Sequence, residues 1–373
     1  MEVELKVIFR SDASVEQGTG HLMRCLVLAD ELRKRGHECI FLTQSFLPDF
    51  LVQIEERKHR LIRLRKNDTC LEMSNINNEY LTWLGRSIVQ DALETRDIVN
   101  YEKPNIVIAD HYAIDANWMK IVSNDDVKTV IIDDLANREH FCDILIDQNF
   151  GRTSTQYETR VLKKTKILAG AQYIFIGDDF KKVREIMQRE RLNRRPKCLN
   201  ICMGGMDKDN ATHSVLETVA NLDHFKNWSI DVVLRSSSPH SDMIKEYIKS
   251  KKNNIKLYLD CENMASLFGK ADLAIGAGGV SLWERCCVGL PTVLLTIADN
   301  QVPAALAMNG TGAIVYSGDI RYENWEYQLG NNLKLLAQNA NAIHRMANNA
   351  FSVCDGNGLN KVCDMIELVK FDC

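Results

Sequence analysis

A chain of 373 residues, 45% hydrophobic and 26% charged, is too long for one ordinary core and is expected to form two soluble domains. Its net charge of −4 gives no electrostatic reason for nucleic acid or an anionic membrane as partner, and no apolar run of about 18 residues exists to span a bilayer. Met1–Phe9 lacks the apolar core of a signal peptide, so a cytoplasmic protein is expected, and the 12 cysteines are scattered without a Cys-x-x-Cys pair, as reduced packing residues would be.

Leu5–Phe9 reads as a buried strand. It leads into Gly18-Thr19-Gly20-His21, which opens an apolar-periodic helix running from Gly20 to Arg35 and stopped at Gly36. A glycine turn between strand and helix brings backbone N–H groups close to a bound anion. The spacing is not that of a dinucleotide cradle: the third glycine of G-x-G-x-x-G is missing, and so is the P-loop lysine. At a helix N-terminus the macrodipole disfavours an imidazolium, so His21 is expected to be neutral and suited to take a proton from water. A polar capping role is the alternative. Arg24 lies one turn further on, positioned to bind a phosphate or pair with a carboxylate. Asp12, in the loop before the glycines, is read either as an orienter of water or of the histidine, or as a turn residue.

Glu38–Thr43 and Leu61–Leu64 read as the next strands, and Asn75–Asn100 as a polar helical stretch containing Trp83. Ile106–Ala109 is a buried strand ending at Asp110-His111-Tyr112, and Thr129–Ile132 another, ending at Asp133-Asp134. Open parallel sheets bind ligands at such strand ends. His111 is a candidate proton relay or sugar-hydroxyl partner, or else a satisfied loop histidine. Asp133 and Asp134 suit acid–base work or helix capping; no His/Cys/Asp cluster has metal spacing, so no metal site is assigned. Ile144–Asp147 is a further short strand. The basic, helical stretch Lys181–Pro196 marks a boundary, giving an N-terminal domain over residues 1–192 and a C-terminal domain over 197–373.

The pattern then restarts. Strands are expected at Cys198–Met203, Ile230–Leu234, Ile255–Leu259, Asp272–Gly276, Pro291–Ile297 and Gly312–Tyr316. Helices are expected at Asn210–Leu222, Asp242–Lys251, Asn263–Lys270, Ser281–Val288 and Val302–Asn309. The last helical run, Gly358–Lys370, is free to pack back on the first domain. The fold class is α/β, two doubly wound Rossmann-like domains facing a cleft. Gly204 and Gly205 follow the first strand of the second half as a phosphate-approach turn. Gly276-Ala277-Gly278-Gly279-Val280-Ser281 is a stronger candidate, with strand, glycine turn and helix all present; Gly278, Gly279 and Ser281 would meet a diphosphate. Glu284, one turn into that helix, would accept both hydroxyls of a ribose, or simply favour the helix dipole. Asn300 and Gln301 would read sugar hydroxyls or an acetamido group. Trp283, Met203, Met206 and Met264 read as packing residues.

Taken in order, Phe9-Arg10-Ser11-Asp12, Gly18-Thr19-Gly20-His21 with Arg24, Trp83-Leu84-Gly85, Asp110-His111-Tyr112, Asp133-Asp134, Cys142-Asp143-Ile144-Leu145, Gly204-Gly205-Met206-Asp207 and Glu262-Asn263-Met264 resemble the UDP-2,4-diacetamido-2,4,6-trideoxy-β-L-altropyranose hydrolases of pseudaminic acid synthesis. The resemblance spans roughly residues 5–305. That family is similar in fold to inverting GT-B glycosyltransferases. The resemblance implies hydrolysis of a UDP-linked diacetamido sugar with inversion, His21 as the base that activates water, and Asp12 and Arg24 beside it. Gly20, Asp110, His111 and Tyr112 would line the sugar side. Gly204, Gly205 and the Asn263-Met264 segment would lie on the nucleotide side, with Asn263 and Met264 near uracil. It implies no cofactor and no metal, a small-molecule UDP-sugar as the partner, and no stable membrane insertion; a monomer is expected. Departures remain. The Gly276–Gly279 turn looks closer to the transferase form, which keeps a glycosyltransferase open as a second reading, with a non-catalytic nucleotide-sugar binder as a third.

Overall fold

The computed structural model describes residues 4–14, 16–44, 48–65, 80–251 and 254–369. The chain divides into two units, Met1–Phe175 with Asn357–Cys373, and Ile176–Gly356. The division falls ahead of the basic stretch 181–196, because the helix carrying the first part of that stretch packs on helices of the second unit.

In the first unit the chain runs β1 (Lys6–Ser11), α1 (Gly20–Lys34), β2 (Glu38–Thr43), α2 (Pro48–Glu56), β3 (Arg60–Arg63), α3 (Leu81–Leu84), α4 (Ile88–Glu102), β4 (Ile106–Asp110), α5 (Ala116–Val122), β5 (Lys128–Ile132), β6 (Ile144–Asp147) and β7 (Lys166–Ala169). The strands form one parallel sheet in the order β3-β2-β1-β4-β5-β6-β7. Continuous Val/Ile/Leu runs make such strands because a parallel sheet is covered on both faces. The alternation of side chains sends Val7, Phe9, Ile106 and Ile108 to one face, beneath α1, and Ile8, Val107 and Ala109 to the other, against α4 and α5. The stretch expected to be one helix over 75–100 is two helices where it is described; residues 75–79 lie outside the described residues. Gly85, at φ +67°, ends α3 in the left-handed region, and Ser87 opens α4 with a reciprocal capping box to Gln90.

In the second unit α6 (Asp178–Glu190) precedes β8 (Cys198–Cys202), α7 (Ala211–Ala220), β9 (Ser229–Leu234), α8 (Ser241–Ser250), β10 (Ile255–Leu259), α9 (Met264–Lys270), β11 (Leu273–Ala277), α10 (Val280–Cys287), β12 (Thr292–Thr296), α11 (Val302–Asn309), β13 (Ile314–Asp319), α12 (Trp325–Ala337) and α13 (Ala340–Val353). The sheet order β10-β9-β8-β11-β12-β13 repeats the doubly wound pattern, again all parallel. Leu199, Ile201, Val232, Ile275 and Val293 form its core with α7, α12 and α13. The chain ends in α14 (Gly358–Val369), which lies in the first unit: Leu359, Val362, Cys363 and Ile366 join the α1 face of its core. Among the described residues no helix is long and apolar enough to cross a membrane.

Candidate functional site

In the first sheet the winding direction reverses between β1 and β4, and the carboxyl ends of strands at such a reversal are where open α/β sheets hold ligands. His21 stands there in the first turn of α1, whose N-cap Thr19 makes no side-chain cap. The imidazole is buried and its Nδ1 lies 2.6 Å from Asp110 Oδ1 at the end of β4. Arg24, one turn on, grips the same carboxylate through Nε (2.6 Å) and Nη2 (2.7 Å), and reaches Asp134 with Nη1 at 2.9 Å. Asp110 is fully buried, yet the Arg24 charge, with His21 beside it, outweighs burial and holds the carboxyl far below the usual range. An ionised Asp110 accepts, so Nδ1–H is the donor and the lone pair of His21 lies on Nε2. Because the guanidinium offsets the Asp110 charge, the carboxylate orients the ring within an almost neutral pair.

Tyr112 completes this side. Its hydroxyl donates to Asp134 at 2.8 Å, and its ring meets the His21 ring edge to face at 4.4 Å. Asp134 also accepts from Asn149 Nδ2 at 3.0 Å, which in turn donates to Asp147 at 2.9 Å. Asp133 points the other way. It pairs with Arg138 at 2.7 Å, accepts the N–H groups of Leu135 and Ala136, and shares the Tyr157 hydroxyl (2.9 Å) with Asp147 (2.7 Å). The two neighbouring acids therefore split their work: Asp134 joins the histidine network and Asp133 caps the turn.

Asp12 does not touch His21. Its carboxylate accepts the Thr43 hydroxyl (2.9 Å) and the Gln44 N–H (2.7 Å) and pairs with Arg10 at 2.7 Å. The imidazole it faces is that of His111, at 3.7 Å. The reason is a buried ion network that the sequence reading left out: Arg10, wholly buried, bridges Asp12 to Asp91, and Asp91 also holds Arg86 and the Trp118 indole N–H. His111 is fully enclosed; burial pushes it down to about 4, and its Nδ1 accepts the Ala113 N–H. Neutral and spent on its own loop, His111 belongs to this network instead of the His21 cluster. Gly20 is exposed at the opening of α1.

The second sheet reverses between β8 and β11. Gly204, at φ +105°, and Gly205 follow β8; a Cβ on Gly205 would come within 3.0 Å of the Arg235 side chain. Asp207 in the same turn accepts the N–H groups of Ala211 and Thr212 at the start of α7. After β11, Gly278 is pressed against Gln301, while Gly279, at φ +93°, has open space on its Cβ side. Gly279 is the N-cap of α10 and makes no side-chain cap, so the N–H groups of Val280 and Ser281 at its start have no capping side chain. Beneath the turn lies Arg285, wholly buried, donating to the Ala277 carbonyl at 2.7 Å and to Ser281 Oγ at 3.2 Å. Gly276 has no side chain because a Cβ would fall 2.5 Å from that guanidinium. The Glu284 side chain, on the next turn of α10, makes no hydrogen bond to a described group, and burial pushes its carboxyl up to about 7. The Gln301 amide oxygen accepts the Ile297 N–H at 3.1 Å; Asn300 sits in the same turn after β12. Asn263 caps α9 by accepting the Ser266 N–H at 2.9 Å, with Met264 as its first helical residue.

No protein-family model matches the chain. It is 29% identical over 298 residues to an uncharacterized protein of Methanocaldococcus jannaschii, covering 78% of this chain and 55% of that one, so it spans about half that relative's length. It is 27% identical over 272 residues to the UDP-2,4-diacetamido-2,4,6-trideoxy-beta-L-altropyranose hydrolase of Campylobacter jejuni, covering 73% of this chain and 84% of the relative. It is 25% identical over 319 residues to the spore coat polysaccharide biosynthesis protein SpsG of Bacillus subtilis, covering 83% and 82%. The resemblance read from the motifs thus holds as a similarity over most of the chain. Among solved structures, MurG of Acinetobacter baumannii superposes with a TM-score of 0.62 at 15% identity over 98% of this chain and 99% of that one. Staphylococcus aureus MnaA with UDP gives 0.66 at 11% identity, covering 98% and 96%. These likenesses assign the GT-B fold to the chain.

Proposed function

We propose that this protein hydrolyses a UDP-linked 2,4-diacetamido-2,4,6-trideoxyhexose to UDP and the free sugar, with His21 as the base. The likenesses support the coarser statement, a nucleotide-sugar enzyme of the GT-B fold; the hydrolytic step is the finer one. The observation that carries it is the His21–Asp110–Arg24 arrangement, which leaves Nε2 as a fixed proton acceptor in a cluster otherwise closed on itself.

In the proposed step a water oxygen attacks the anomeric carbon while His21 Nε2 takes its proton. The C–O bond to the β-phosphate breaks, and UDP leaves with the bonding pair, inverting the centre. Asp110, held ionised by Arg24, then faces an imidazolium and stabilises it, the part a carboxylate plays in a hydrolytic triad. On the nucleotide side, the uncapped N-terminus of α10 with Gly278, Gly279 and Ser281 would hold the diphosphate, and the unpartnered Glu284 the ribose hydroxyls. Asn263 and Met264 would lie near the uracil, and Asn300 and Gln301 near the sugar substituents.

The same fold supports a transferase as the second reading, since solved glycosyltransferases share it with this chain. Incubation with the UDP-sugar and no acceptor separates the readings. UDP released without acceptor supports hydrolysis. Release that requires an acceptor overturns it in favour of transfer, and binding without release would leave a nucleotide-sugar binder.

A further inference from the structure

Beside His21 stands a group of aromatic rings that the proton transfer does not use. Tyr112 touches the imidazole and lies 5.1 Å from the Tyr80 ring and 5.8 Å from the Trp83 ring, which meet each other at 4.8 Å. Tyr112 is buried, but Tyr80 and Trp83 are only half-buried. The Trp83 indole makes no hydrogen bond to a described group.

This pair sits on α3, a helix of one turn that has no stability of its own. Three contacts fix it. Leu81 and Leu84 pack on Ala113, the neighbour of Tyr112. Gly85 ends the turn in the left-handed region. Arg86, 2% exposed, then drops into the network and pairs with Asp91, the carboxylate that also holds Arg10. The rings are thereby tied to the floor from which His21 and Asp110 rise, which is how a preorganised binding wall is built.

Ring faces take carbon, not charge. A methyl group laid on them leaves water at a gain. A hydroxyl in the same place would lose its water partners without replacing them. We propose that Tyr80 and Trp83 form the subsite for the methyl-bearing edge of the sugar and so select deoxy, acetamido-substituted hexoses over fully hydroxylated ones. This rests on the reading that His21 acts on a nucleotide sugar.

The test compares kcat/KM for the UDP-linked 2,4-diacetamido-2,4,6-trideoxyhexose and its 6-hydroxy counterpart in wild type, W83A and W83F. The wild type should favour the deoxy substrate by about ten- to a hundredfold, the worth of a methyl group in an apolar pocket. W83A should erase that preference through the deoxy substrate alone, and W83F should keep most of it. Equal losses on both substrates in a folded W83A, or no loss on either, would overturn the wall. Calorimetric titration with the free diacetamido-trideoxy sugar reads the subsite without turnover. Binding that is weakened in W83A and retained in W83F supports the wall, and equal binding in all three overturns it. Should the wild type release no UDP from either substrate, the hydrolase reading fails while the titration still decides the subsite.

Discussion

His21 has only Nε2 free to take the proton in the proposed reaction, because Asp110 occupies Nδ1 at 2.6 Å. Replacing it with Ala removes the base and leaves the α10 turn intact, so turnover should drop by about 10²- to 10⁴-fold with UDP affinity unchanged, read by UDP release and by calorimetry. Arg24 has a different part. Its single charge is shared between two carboxylates, Asp110 and Asp134, inside a buried cluster. Arg24→Met would strand both, and urea unfolding should show a loss of about 3–5 kcal/mol, with activity lost as well. The sequence marked His21 with Arg24, one helix turn apart, and Asp110 with Tyr112, at a strand end, as separate candidates; that Asp110 joins the first pair was not legible in it. It gave no sign that Asp12 faces His111 and not His21. That depends on Arg10 and Asp91, 81 residues apart, and the joining of distant buried charges has no local period to read.

At the level of elements, the β11–α10 turn carries the sharpest expectations. Gly276→Ala drives a methyl into the Arg285 guanidinium and should cost about 1–3 kcal/mol, read by the urea midpoint. Gly279→Ala meets no neighbour but must hold φ +93°, and its methyl enters the open space where the diphosphate is proposed to lie. It should weaken UDP binding more than it weakens the fold. Glu284 adds a pH dependence. Its folded carboxyl sits near 7, above the 4.5 of a free side chain, so the folded state keeps a proton the unfolded chain has already lost. That contribution is full below about 4.5 and is lost as pH climbs through about 7. The fall of the urea midpoint between those values should be shallower in Glu284→Gln than in wild type. The same substitution should weaken UDP binding by about tenfold or more, as a charge-assisted bond is lost. The short strand β7 and the helices α12 and α13 escaped the sequence reading. β7 is four residues long and begins with a lysine, too little pattern for a strand. Yet Trp325, Leu329, Leu333 and Leu336 recur at helical spacing on α12, a signal that was present and unused.

For the whole molecule, the alternation of buried strands and helices was enough to read two doubly wound sheets, because parallel strands are apolar throughout and each needs a crossover helix. The fate of the last helix was not, since an apolar stripe does not name its partner. The structure gives it to the first unit, where Leu359, Val362, Cys363 and Ile366 are buried against the α1 face. A chain stopped after Gly356 should therefore keep the second unit's core but show exposed apolar surface on the first, measured as dye binding and a lowered first unfolding transition. Ile366→Ala should cost about 2–5 kcal/mol in the same unit.

That arrangement imposes an order on biogenesis. The first sheet leaves the ribosome ahead of the second unit, yet the stripe that seals one of its flanks is encoded only after that whole unit. At roughly 5–20 residues per second, the greasy flank waits about ten to forty seconds for its cover. Nascent copies on neighbouring ribosomes are thus open to sticking together through that interval, a hazard that slower translation would lengthen and holdase chaperones would relieve.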